Sequence, residues 1–143
     1  MKVREIMTTE VVALKVDDEL SLASDIMTLG RIRHFPVVEG EQLVGIISQR
    51  DLFKASIASV MGHDYKETRD HLKTVTIKEV MVTDVITVGP NTGIHEAGMI
   101  IIEKKIGCLP VVLDGDLVGI VTETDMLRFC VSCHQNETAS HSK

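Results

Sequence analysis

The chain has 143 residues, room for one domain or two very small ones, and its 44% apolar and 25% charged side chains fit a packed globular protein rather than a disordered or fibrous one. Its 15 basic and 21 acidic residues give a formal charge of −6, which repels a phosphate backbone and excludes nucleic acid as a partner. No apolar run reaches the roughly 18 residues that cross a bilayer, and MKVREIMTTE carries a glutamate where a secretion signal is apolar, so no membrane association and a cytoplasmic location are expected.

Taken in chain order, EVVALKV (10–16) is a short β-branched run and reads as a strand. Asp17 stands as a candidate N-cap before LSLASDIMTLG, whose Leu20, Leu22, Ala23, Ile26 and Met27 recur at helical spacing. HFPVV and QLVGIIS, split by Glu39-Gly40-Glu41, read as a hairpin. QRDLFKASIASV begins a second helix, which Gly62 is placed to end. A polar, charged stretch then serves as a connector.

From there the pattern restarts. A shift of 74 lays residues 6–55 on 80–129 without a gap: Met7 on Met81, Ala23 on Ala97, Pro36 on Pro110, Gly45 on Gly119 and Asp51 on Asp125. DVITVGP matches the first strand, with Asn91 as the candidate cap, IHEAGMIIIEKK the helix, CLPVV and DLVGIVT the hairpin across Asp114-Gly115-Asp116, and ETDMLRFCV the last helix. Such a duplication predicts an α/β (α+β) fold of two β-α-β-β-α units, each a small mixed sheet with helices on one face, packed sheet to sheet about a pseudo-twofold axis. The expected boundaries are residues 1–62 for the first unit, 63–78 for the connector, 79–131 for the second unit and 132–143 for a polar, poorly ordered tail. Few aromatics are available, so the core must be aliphatic.

The phrase repeated in the two units is GIISQRD (45–51) and GIVTETD (119–125). Ser48 and Thr122 with an acid three places on fit a capping box, the simplest reading of each copy. The context supports a second reading. A strand running directly into a helix leaves unpaired N–H groups and a dipole that favour an anion. The glycine would admit a flat ring close to backbone, and the carboxylate suits the paired hydroxyls of a ribose.

With these motifs in fixed register, the chain resembles a tandem pair of CBS domains, the regulatory modules named after cystathionine β-synthase. The resemblance covers nearly all of residues 1–129. It implies clefts between the two units that bind adenosine-containing ligands, AMP, ADP or ATP first and S-adenosylmethionine or a dinucleotide in some members. Carried over position by position, Asp51 and Asp125 would hold ribose hydroxyls, with Ser48 and Thr122 near sugar and phosphate. Arg33 and His34, with Gly107 and Cys108 beside Pro36 and Pro110, would edge the clefts. Thr9, Val11 and Val12, with Thr83, Val85 and Ile86, would line the adenine, and Ile46 and Ile120 would form apolar walls. The units differ: Arg31, Arg33, His34 and Arg50 surround the first motif, whereas the second has Lys104, Lys105 and Arg128, with Cys108 and Thr124 in place of His34 and Arg50. Lys104 and Lys105 also suit a solvated helix end. The family pairs into homodimers, and its members signal to an effector protein, here unidentified; the alternative is a dimerisation scaffold without ligand.

Other motifs carry less. CVSCH (130–134) has the spacing of a haem attachment site, and Cys130, Cys133, His134 and His141 that of a zinc site, but both fall beyond the second unit, so no metal is expected. His63, Asp64, Asp70 and His71 suit a solvated connector, and Asn136-Glu137-Thr138 has meaning only in a secreted chain. Single carboxylates with no base–nucleophile pair argue against catalysis, and an adenine nucleotide is expected as a regulatory ligand rather than a required cofactor.

Overall fold

The structure is a computed structural model that describes residues 1–30, 32–60 and 70–141, with the side chains of residues 57–60 and 136–141 left aside. Its strands are β1 (Leu14–Lys15), β2 (His34–Glu39), β3 (Gln42–Ser48), β4 (Cys108–Leu113) and β5 (Asp116–Thr122). Its helices are α1 (Leu20–Leu29), α2 (Gln49–Val60), α3 (Ile77–Val80), α4 (Ile94–Lys104) and α5 (Glu123–His141), with a 3-10 turn at Val3–Glu5. The α/β fold with two repeated units is the one the duplication predicts. Arg31, Gly62 and the connector residues His63 and Asp64 lie outside the described residues.

The two hairpins are copies of each other. In β2–β3, His34 pairs with Ser48, Pro36 with Ile46 and Val37 with Gly45, with a register shift between Val37 and Val38. In β4–β5, Cys108 pairs with Thr122, Pro110 with Ile120 and Val111 with Gly119, with the shift between Val111 and Val112. The turns use the backbone their residues allow: Gly40 has φ +63°, and Asp114 and Gly115 have φ +53° and +86°, the doubly left-handed pair that matches strand twist in a two-residue hairpin. β1 runs parallel to β2 through Leu14–Val37, and a single parallel bridge, Val88–Val111, stands at the equivalent place. The first strand of each unit is therefore shorter than EVVALKV and DVITVGP suggested.

Packing divides the chain differently from the repeat. One compact unit is residues 12–85, and the other is residues 1–11 with 86–143. The leading segment of each repeat thus completes the body of the other. Val3, wholly buried, joins a core with Val88, Ala97, Ile101, Leu109, Val111 and Val121. Ile77, equally buried, joins Leu14, Leu20, Ala23, Phe35, Val37, Ile47, Leu52 and Leu72. Both cores are aliphatic apart from Phe35.

The same exchange replaces the expected helix caps. Leu20 N donates to Val75 O at 2.8 Å and Ile94 N to Met1 O at 3.1 Å, so the leading segment satisfies each helix start through its backbone and no side-chain cap forms. Asp17 and Asn91, the candidate caps, hold the leading segments instead. Lys78 Nζ lies 3.7 Å from Asp17 Oδ1, and Arg4 Nη1 donates to Asn91 Oδ1. In each segment a glutamate three places on reaches back to the N-cap backbone: Lys2 N donates to Glu5 Oε2 at 2.5 Å, and Thr76 N to Glu79 Oε2 at 2.7 Å.

At the C-terminus, α5 continues as helix to His141, so the segment from Ser132 expected to be poorly ordered is helical there. No glycine or proline interrupts the sequence from Glu123 to His141, and nothing in it stops a helix already begun. No helix among the described residues is long and apolar enough to cross a membrane.

Candidate functional site

The repeated phrase occupies two strand-to-helix junctions, β3–α2 and β5–α5. At the first, Ser48 N and Ser48 Oγ donate to Asp51 Oδ2 at 2.9 and 2.8 Å, and Asp51 N donates to Ser48 Oγ at 3.2 Å. At the second, Thr122 N and Oγ1 donate to Asp125 Oδ2 at 2.9 and 3.1 Å, and Asp125 N donates to Thr122 Oγ1 at 3.2 Å. This is the reciprocal cap that the spacing allowed. Two donors on a single carboxylate oxygen fix the side chain against the helix start, and both aspartates are part-buried there. Oδ1 takes no part in either cap. A carboxylate has acceptor sites on both oxygens, so the bonds that immobilise it leave capacity for a further donor.

The flanking residues are placed by the hairpin register. Gln49 N donates to Arg33 O at 2.8 Å and Glu123 N to Gly107 O at 3.1 Å, so the residue before each β2 or β4 strand touches the first helical residue. His34 and Cys108 lie opposite Ser48 and Thr122. Arg33 and Arg50 are exposed, as is Thr124. Burial and the nearby Glu123 carboxylate push the Cys108 thiol up from 9.0 to about 12, so it stays uncharged at neutral pH. Arg128 Nη1 lies 3.9 Å from Asp125 Oδ1. Lys104 ends α4 and Lys105 follows it in the left-handed region, where a cation complements the helix dipole.

The glycines of the phrase serve a different purpose from the one expected. A Cβ on Gly45 would lie 2.6 Å from Met81 Sδ and 3.1 Å from Val82 O, and one on Gly119 would lie 2.6 Å from Met7 Sδ and 3.0 Å from Thr8 O. The close approach belongs to the leading segment, bridged to the strand by paired bonds of 2.9 Å between Ile46 and Val82 and of 2.9 and 3.0 Å between Thr8 and Ile120. The matching of Met7 with Met81 in the repeat was the available signal for this contact.

Other candidates separate by exposure. Pro36 and Pro110 are fully buried, and Ile120 and Cys108 nearly so; they form the strands' packed interior and leave Ile46 as the half-buried apolar wall. Thr9 and Thr83 are exposed, Val11 and Val85 half-buried, and Val12 and Ile86 exposed. The chain passes from one compact unit to the other at Val11/Val12 and again at Val85/Ile86, so all six stand at or near the two crossings. Cys130 and Cys133 are exposed free thiols on α5, and no group of three metal-binding side chains assembles among the described residues.

Comparison with known proteins gives this arrangement its family. A Vibrio cholerae protein ascribed to acetoin utilization (AcuB) is 34% identical and superimposes with a TM-score of 0.83 over 97% of this chain and 96% of its own. The CBS domain pair of protein MJ0100, solved with 5′-methylthioadenosine and S-adenosyl-L-methionine, is 28% identical with a TM-score of 0.76 over 92% of this chain and 97% of its own. The CBS domain-containing protein YhcV of Bacillus subtilis is 28% identical over 96% of this chain and 89% of its length. Inosine-5′-monophosphate dehydrogenase of Korarchaeum cryptofilum is 33% identical over 82% of the chain, which spans only 22% of that enzyme. The model of the CBS domain matches residues 3–58 and again 77–132, and the chain, a tandem pair of such domains, belongs to the CBS domain family.

Proposed function

We propose that the chain is a regulatory module that binds an adenosine-containing ligand, an adenine nucleotide before S-adenosylmethionine or a dinucleotide, and passes its occupancy to an effector protein. Asp51 and Asp125 accept from ribose hydroxyls through Oδ1 while Oδ2 remains in the cap. Ser48 and Thr122, with Arg33, His34 and Arg50 at the first junction, face sugar and phosphate; Thr9, Val11, Val12, Thr83, Val85 and Ile86 contribute to the adenine pocket. The observation that carries this reading is the duplication of one carboxylate geometry: at each junction the acid is immobilised at the helix start through a single oxygen, Oδ2. The MJ0100 pair, with its two adenosyl ligands, supports the ligand class. A ligand signals only by binding one arrangement of the protein better than another, and in this reading the carboxylates hold the ligand's sugar and take no part in a reaction.

A second reading also has an observation behind it. The caps account for both aspartates without any ligand, and exposed aliphatic side chains, Met99 and Ile102 on α4 and Leu127 and Val131 on α5, suit a homodimer contact. The chain would then be a dimerisation scaffold. Thermal unfolding with AMP, ATP and S-adenosylmethionine separates the two. Ligand at a hundred times its dissociation constant stabilises by about 2.7 kcal/mol, so a raised midpoint with at least one compound supports the sensor and no shift with any supports the scaffold. Light scattering on the eluting peak tests the dimer in either case.

A further inference from the structure

Cys130 and Cys133 stand one turn apart on α5 as exposed free thiols. Extending the 74-residue shift along the closing helix of each unit pairs them with Ser56 and Ser59. The first unit thus builds the same stretch of helix with hydroxyls, and the fold requires neither sulfur. The thiols do not serve the core either. Met126 packs against the buried cluster of its unit and Phe129 is half-buried, but Cys133, next along that stripe of the helix, is exposed.

Side chains three apart on a helix are neighbours, with Cβ atoms about 5–6 Å apart. A disulfide requires Cβ atoms about 3.5–4.5 Å apart, so closing one inside this helix means opening the helix. Bridging the sulfurs with an ion needs no such change. A thiolate sits about 2.3 Å from its metal, so two on one ion stand at most about 4.6 Å apart, a separation that rotamer choice alone provides. The donor count then decides the ion. Structural zinc takes four ligands in a tetrahedron, and no group of three metal-binding side chains assembles among the described residues. A soft monovalent ion is satisfied by two thiolates, and thiolate donors select Cu(I). We propose that Cys130 and Cys133 form a two-thiolate site for a soft, thiophilic ion of the Cu(I) class, clipped across one exposed turn of α5. Each thiol gives up its proton to solvent as its sulfur–metal bond forms, so two protons leave per ion bound and the ion keeps its oxidation state. The site is independent of both junctions and of any adenosine ligand.

The test is anaerobic titration of the full chain with Cu(I) against the chromophoric chelator bicinchoninate. The wild type should withdraw one ion per chain. Cys130→Ser and Cys133→Ser, each changing an exposed side chain, should hold it about 10²–10⁴-fold more weakly, which is the gain a second donor tethered beside the first supplies. Ser132→Cys/Cys133→Ser keeps two thiols but sets them two residues apart, where they do not face each other, and should bind no better than the single variants. Cys108→Ala removes the buried thiol, leaves the pair intact and should match wild type. One equivalent of Cu(I) should also shield Cys130 and Cys133 together from iodoacetamide, read by peptide mass. Wild-type affinity in either single variant or in the displaced pair overturns the two-thiolate site, as does a wild type that withdraws no copper. Half an ion per chain, with the mass doubled in light scattering, places the ion between two chains and overturns the single-helix site equally.

Discussion

Gly119→Ala tests whether the repeated glycine exists for the leading segment rather than for a ligand. The added Cβ would sit 2.6 Å from Met7 Sδ, 3.1 Å from Met7 Cγ and 3.0 Å from Thr8 O. Methionine can swing its sulfur away, but the carbonyl is held by Ile120 N at 3.0 Å while Thr8 N donates back at 2.9 Å. Relief therefore has to stretch a paired bridge as well as move a side chain. Overpacking of this kind costs about 1–3 kcal/mol, and for a chain of this size each kcal/mol lowers the melting midpoint by about 4 °C. Thermal unfolding followed by circular dichroism should show a loss of about 4–12 °C without ligand. Met7→Ala in the same background removes the sulfur contact, so the double variant should lose less than the sum of the singles by at least about 0.5 kcal/mol. Gly45→Ala with Met81→Ala should repeat the result. Gly40→Ala has nothing within 4 Å of its Cβ but a φ of +63°, and should cost about 1 kcal/mol through backbone strain alone, with no coupling to Met81. A wild-type midpoint for Gly119→Ala, or strictly additive loss with Met7→Ala, would refute the docking account.

The exchanged segments make a second prediction: Ile77→Ala should destabilise by about 2–5 kcal/mol, read by denaturant unfolding, and a cost under 1 kcal/mol would mean the segment does not complete the core of residues 12–85. Ser48→Ala breaks the cap but leaves the carboxylate, and should cost about 1 kcal/mol while retaining more ligand affinity than Asp51→Ala; equal losses would tie binding to the cap alone. The thiols should divide by burial, Cys130 and Cys133 reacting rapidly with a disulfide reagent and Cys108 only on unfolding. Because the Cys108 pKa is raised in the folded state to about 12, the unfolded chain loses its proton first as pH rises, and stability should fall between about pH 9 and 12. Cys108→Ala should flatten that slope, and an unchanged slope would assign it to other groups.

The sequence carries the hairpins, the main helices and the doubled junction because each is local: β-branched runs, Gly40 and Asp114-Gly115 at the turns, helical spacing from Leu20 to Met27. It also shows Met7 and Met81 as equivalents. It does not show that Val3 packs with residues of the second repeat and Ile77 with those of the first, since two nearly identical bodies accept two nearly identical segments and no local propensity says which goes where. That exchange is why Asp17 and Asn91 fail as caps: backbone carbonyls of the incoming segment reach the helix N–H groups first, and the polar side chains bind the segment's Lys78 and Arg4. Pro36 and Pro110 pair with Ile46 and Ile120 in the hairpins and lie on the strand face opposite the one that Phe35 and Val37, or Leu109 and Val111, turn to the cores.

The most direct test of the account is calorimetric titration of the wild-type chain and of Asp51→Asn/Asp125→Asn with AMP, ATP and S-adenosylmethionine. The side-chain oxygen of asparagine has two acceptor sites for the two cap bonds, so the variant should melt within a few degrees of wild type while losing the carboxylates offered to a ribose. Saturable binding of at least one compound by the wild type, weakened about tenfold or more in the variant, is the predicted result. Equal affinity in the variant, or no heat from any of the three with the wild type, would contradict it.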